Sequence, residues 1–187
     1  MWRMRGGAHE AIIERYSYLA DQGAKGELES WASTPTGRLA LIIVLDQFSR
    51  SVWAGTPLAF AQDDRALDLC KEGLSNGHYD ALDNVWQKSV FKLPLGHCEC
   101  PAHIANLDLS VALGIQIAED APPQLHAFYR SAVQQPVKHR TVISTFGRFP
   151  HRNAALGRVS TPAEAEYVAR GEFPHTSDIR AFGKDPN

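Results

Sequence analysis

Apolar residues along this chain recur mostly at three- and four-residue spacings rather than in alternation, which predicts helices and gives little support to strands. From Ala8 to Ala20 the positions Ile12, Ile13, Tyr16, Leu19 and Ala20 follow the helical period, and Gly23 is a suitable stop. Ser33-Thr34-Pro35-Thr36-Gly37 has turn chemistry, and a longer helix is predicted from about Gly37 to Trp53. Gly55-Thr56-Pro57 opens the next segment, and a helix restarting at Asp63 runs to Asn76-Gly77. Another begins near Asp83, carries Val85, Trp86 and Val90, and stops at Pro94. Pro101 opens a helix holding Ile104, Leu107, Val111 and Ile115 that ends before Pro122-Pro123. Gln124 to Gln134 and Val137 to Phe146 read as two helical pieces separated or kinked at Pro136. Thr161-Pro162-Ala163-Glu164 is a capping-box pattern closed by Gly171, and a polar tail is expected over residues 174–187.

The predicted fold is therefore all-α, with antiparallel helix pairs joined by short turns in a single domain spanning residues 1–187. Its 37–53 helix is apolar on both sides. Leu41, Val44, Leu45, Phe48 and Val52 form one face, and Leu39, Ile42, Ile43 and Trp53 lie roughly opposite, so this helix is expected to be central. Asp46 and Arg50 fall within the second apolar stripe at i,i+4 spacing. Burying them is costly unless they pair or bind something, so they form either an internal ion pair or part of a polar pocket.

Charge narrows the function classes. Nineteen basic and 21 acidic residues give a formal net charge of −2, and the sequence pI is about 6.4. A generally nucleic-acid-binding surface needs a clustered basic excess that this balance lacks. The longest apolar run, Leu39 to Leu45, is far below the roughly 20 residues that span a bilayer. Cys70, Cys98 and Cys100 are odd in number, which disfavours a disulfide framework, and no secretion signal is visible; a cytoplasmic location is expected.

Two further segments carry candidate chemistry. Leu93-Pro94-Leu95-Gly96-His97-Cys98-Glu99-Cys100-Pro101 is a proline-bounded turn with several potential metal ligands. Structural zinc sites favour cysteines two to four residues apart with a second such pair elsewhere, and there is none here, so no metal is assigned. Glu99 is instead expected to cap the following helix while the cysteines pack as small hydrophobes. Phe146-Gly147-Arg148-Phe149-Pro150-His151-Arg152-Asn153 concentrates arginine, histidine and asparagine between two helices. It reads either as an anion clamp built on planar guanidinium forks or as a set of arginines that cap helix ends and pair with Asp46 and Glu99.

These segments resemble a bacterial family catalogued as domain of unknown function 924. The resemblance rests on Arg38 to Arg50, Gly55-Thr56-Pro57, Leu93-Pro94 with His97 and Glu99, and Gly147 to Asn153 followed by Gly157-Arg158 and Ser160-Thr161-Pro162. It covers residues 8–173, approximately. It implies a fold similar to tetratricopeptide-like α-α superhelices and brings no established activity. The chain departs from the family pattern at Ser49, Ser51, Leu95 and Cys98, where the family tends to have proline, asparagine, phenylalanine and serine.

The three polar segments are expected to converge on one pocket lined by Asp46, Arg50, His97, Glu99, Arg148, His151, Arg152 and Asn153. The first functional reading is a binding module for an anionic small molecule or peptide carboxylate. The second is a hydrolase, metal-assisted or not, in which the acidic and imidazole groups move protons and the arginines steady negative charge. No Gly-x-Ser-x-Gly, His-Glu-x-x-His or phosphate-loop pattern supports a named mechanism, and the sequence identifies no cofactor, no oligomeric state and no substrate.

Overall fold

A computed structural model describes residues 8–171 and 173–174, so the expected polar tail lies, apart from Pro174, outside the described residues. Every regular element among the described residues is helical. These residues fall into two compact units divided between Cys98 and Glu99.

The first unit is organised by one continuous helical stretch. Helix α1 spans Ala8–Ala24. Helix α2, Pro35–Ile42, passes without a break into a π-helical turn, Ile43–Phe48, and then into α3, Ser49–Val52. Thr34 starts this stretch: its side-chain oxygen accepts from the Gly37 N–H at 3.2 Å, and Pro35 takes the first helical position. Helices α4 (Asp63–Ser75) and α5 (Val85–Phe91) follow, then a 3-10 turn, Leu93–Gly96, that delivers His97. Leu41, Ile42 and Leu45 are each only 1% exposed, as expected for a central helix. Each contributes roughly 1.5–3 kcal/mol by leaving water.

Gly23 differs from its expected role as a stop. It lies inside α1, where a Cβ would come within 3.0 Å of Val44 and 3.1 Å of Leu45. Its missing side chain lets α1 close on the π turn, and the left-handed stop is Gly26, at φ 77°.

In the second unit, α6 runs His103–Asp120, α7 His126–Ala132 and α8 Gln134–Phe146. The two helical pieces expected around Pro136 are separate, with the break at Val133; Pro136 sits in the first turn of α8, and the bond it cannot make is the one back to the Ala132 carbonyl. Gly147, at φ 70°, ends α8. A 3-10 turn, Pro150–Arg152, leads on to α9, Pro162–Arg170. Leu107, Val142, Ile143, Phe149 and Tyr167 form the core of this unit. The capping box of α9 forms as its spacing predicts: Thr161 accepts from the Glu164 N–H at 3.2 Å, and Glu164 accepts from the Thr161 N–H at 2.8 Å.

Candidate functional site

Asp46 sits in the middle of the π turn and is fully buried. The Ser49 N–H donates to the Val44 carbonyl, five residues back, so the turn is wider than an α-turn. Such turns break the i→i−4 ladder and recur at functional sites. A lone carboxylate here would be expelled or neutralised, but Asp46 is surrounded by donors. The His97 Nδ1 lies 2.7 Å from Oδ1, Arg50 Nη1 lies 3.2 Å from the same oxygen, and the Gln47 amide donates to Oδ2. Burial alone would raise the Asp46 pKa. The Arg50 guanidinium, the His97 imidazole and the Gln47 amide outweigh burial and hold the carboxyl well below its ordinary range.

An ionised Asp46 can only accept, which settles the arrangement of His97. Its Nδ1 must carry the hydrogen of that contact. The His97 side chain is 14% exposed against 1% for Asp46, so the imidazole connects the buried charge towards solvent.

Arg50 is held from both sides. It donates to the Asp46 carbonyl through Nη1 and to Asp63 Oδ1 through Nη2 at 2.7 Å, and its guanidinium lies 5.6 Å from the centre of the Phe60 ring. Burial would lower the Arg50 pKa, and the two carboxylates reverse that and raise it. Asp63 is the first residue of α4, where the helix dipole favours a carboxylate. The expected i,i+4 ion pair is therefore present, but as one arm of a fork shared between two aspartates. Asp63 escaped the sequence reading because its spacing from Arg50 follows no helical rule.

Two more buried titratable groups lie in this unit. Burial holds Lys92 down at about 8, and burial, reinforced by the Asp46 charge, raises the Cys70 thiol to about 12. Lys92 immediately precedes the 3-10 turn that ends at His97.

The second unit holds its own polar group. Glu99 does not cap α6. Its Oε1 accepts from the Phe149 N–H at 2.6 Å, and the two terminal nitrogens of Arg158 donate to its two oxygens. Arg158 also donates to Asn153 Oδ1 at 2.9 Å and to the Phe149 carbonyl at 3.1 Å, and Asn153 passes a hydrogen bond on to Ser160. Burial would raise the Glu99 pKa, but Arg158, the Phe149 amide and Arg152 outweigh it and lower it. Arg158 joins this group although only its place beside Gly157 in the family-like motif pointed to it.

Arg148 is occupied as well. Its Nε and Nη2 donate to Glu164 at 2.6 and 2.8 Å, so the capping-box carboxylate also serves as its partner. Arg148 and the Thr161 amide bring the Glu164 pKa down to about 2. Arg152 lies 4.8 Å over the ring of Phe149, and His103, His139 and His151 stand 5.2, 5.2 and 5.5 Å from the same ring. Asp46, Arg50 and His97 thus meet in the first unit. In the second, Asn153 joins Glu99 through Arg158, Arg152 and His151 stack on Phe149, and Arg148 is bound to Glu164.

Among the described residues, no three or more histidine, cysteine or acidic side chains are grouped to hold a metal ion. No helix among them is long and apolar enough to cross a membrane. The three cysteines are free, and Asn106 donates to the Cys100 sulfur at 3.3 Å.

Comparison with known proteins places this geometry in a setting without an assigned chemistry. The sequence profile described as "Bacterial protein of unknown function (DUF924)" matches residues 1–172. The chain is also similar to a solved structure of a protein of unknown function from Agrobacterium tumefaciens, with a TM-score of 0.72 and 29% identity over 87% of this chain and 84% of that one. No curated protein matches.

Proposed function

Because the chain belongs to the bacterial family of unknown function DUF924, which offers no activity to inherit, we propose a function from its own chemistry: an acid–base enzyme of hydrolase type, working through Asp46 and His97. The observation that carries this reading is the 2.7 Å contact between His97 Nδ1 and the buried, ionised Asp46. A carboxylate so placed fixes the tautomer and orientation of the imidazole and stabilises the imidazolium that forms when Nε2 takes a proton. In a hydrolysis, Nε2 would take a proton from the attacking water and return it to the leaving group.

A binding module for an anionic small molecule or a peptide carboxylate is the second reading. It is favoured by two guanidiniums, those of Arg158 and Arg152, acting on the carboxylate Glu99. It is weakened by the carboxylates that already occupy Arg148 and Arg158.

Turnover of ester, phosphoester and amide panels separates the two readings. The enzyme reading expects a hydrolysed class whose rate falls by roughly 10²–10⁴ in His97→Gln with the fold intact. Absence of turnover across all three classes, together with binding of phosphate or acetate that Arg152→Gln abolishes, would transfer support to the binding module.

A further inference from the structure

We infer that Asp63 is a positioning residue for the Asp46–His97 pair, holding one arm of Arg50 away so that His97 keeps its place on Asp46. This deepens the acid–base reading and rests on it.

A planar five-donor fork beside a carboxylate closes preferentially into a two-bond, fork-to-fork pair. Arg50 stands next to Asp46, four residues along the same helical stretch, and could close on both of its oxygens. It does not. One terminal nitrogen reaches Asp46, at 3.2 Å from Oδ1 and on the backbone carbonyl, while the other is taken by Asp63 at 2.7 Å. Asp46 Oδ1 is therefore left to share with His97 at 2.7 Å, and Oδ2 with Gln47.

All three charged side chains are shielded from water, with side-chain exposures of 1% for Asp46, 10% for Arg50 and 7% for Asp63. In so dry a setting the partner of each donor is fixed by the neighbouring groups rather than averaged by solvent. Asp63 is held in turn by its position as the first residue of α4, whose dipole favours its charge. Removing that charge frees the Nη2 arm of an Arg50 whose other terminal nitrogen already lies 3.2 Å from Asp46 Oδ1. His97 is then displaced from Oδ1 and loses the constraint that keeps its hydrogen on Nδ1.

The test is nitrogen-15 NMR of the histidine side chains, which distinguishes an Nδ1–H from an Nε2–H imidazole, on the full chain and on Asp63→Ala, Asp63→Asn and Asp63→Glu. Wild type is expected to show His97 as Nδ1–H. In Asp63→Ala the ratio of tautomers should move about tenfold towards Nε2–H, the scale of losing a hydrogen bond to a charged group. Asp63→Glu should restore the wild-type ratio, and Asp68→Asn, exposed on the same helix, should leave it unchanged. Asp63→Asn repeats the measurement with a side chain of the same size if the alanine variant does not fold. A His97 signal that stays Nδ1–H in folded Asp63→Ala or Asp63→Asn overturns the positioning role while leaving the acid–base reading standing. A wild-type signal that is Nε2–H removes both.

Discussion

Burial acts in opposite directions on Lys92 and Cys70, and the two effects meet in one pH window. Lys92 is lowered from 10.5 to about 8, so between those values the unfolded chain holds a proton that the folded chain has released, and stability rises with pH. Cys70 is raised from 9.0 to about 12, so above 9.0 the unfolded thiol ionises while the folded one does not, and stability falls. Each effect is on the order of 3–4 kcal/mol across its window, and in wild type the two slopes cancel only where the windows overlap, between 9.0 and 10.5. Chemical denaturation should therefore show wild-type stability rising from about 8 to 9.0, level to 10.5 and falling above it, with a rise alone in Cys70→Val and a fall alone in Lys92→Met; parallel profiles in all three would contradict these assignments.

Ser49 gives a second prediction at the level of single residues. Its hydroxyl is buried and meets no hydrogen-bond partner among the described residues. An unmade bond to a buried hydroxyl is a penalty, so Ser49→Ala should leave stability unchanged or raise it by about 1 kcal/mol in a denaturant titration. A loss of more than that would mean that the hydroxyl holds something in the native protein. Asp46→Asn is the opposite case, because it leaves Arg50 and His97 facing a neutral amide. It should cost roughly 3 kcal/mol.

At the level of elements, much of the architecture was legible and the exceptions have physical causes. Helical spacing gave the α-helices of the described residues to within a few positions, and the Thr161 capping box formed as its spacing predicted. The π turn was not legible, because apolar residues on both sides of positions 39–53 mask any change of winding. Gly23 misled for a related reason: local propensity reads it as a breaker, whereas it serves close packing against Val44 and Leu45. Gly37 lets packing be tested against propensity. Propensity alone favours alanine in a helix by about 1 kcal/mol. A Cβ at Gly37 would lie 2.2 Å from the Trp31 carbonyl, which is backbone and cannot swing aside. Gly37→Ala should therefore destabilise the protein by roughly 2 kcal/mol or more, and a raised melting temperature would refute that geometry.

Across the whole molecule, ionised carboxylates stand at the centre of the polar groups in both units, and each is held below its ordinary pKa by neighbouring donors. Their contribution is present above the unfolded carboxylate range and is lost as pH falls through the depressed values, so they share the acid limb of stability with Glu29 and Glu72, which are lowered too. Glu164→Gln should flatten the part of that limb between 4.5 and about 2. Which charged side chains come together was partly legible, since Asp46, Arg50 and His97 do meet. The partners that decide what each can do were not, because Asp63 and Arg158 reach their sites through contacts that no sequence spacing encodes. One proton decides what the Asp46–His97 pair can do. Nitrogen-15 NMR of His97 in the intact protein and in Asp46→Asn reads it directly: the hydrogen should sit on Nδ1 in wild type and move to Nε2 once the carboxylate is gone. A wild-type imidazole already protonated on Nε2 alone would contradict the acid–base reading.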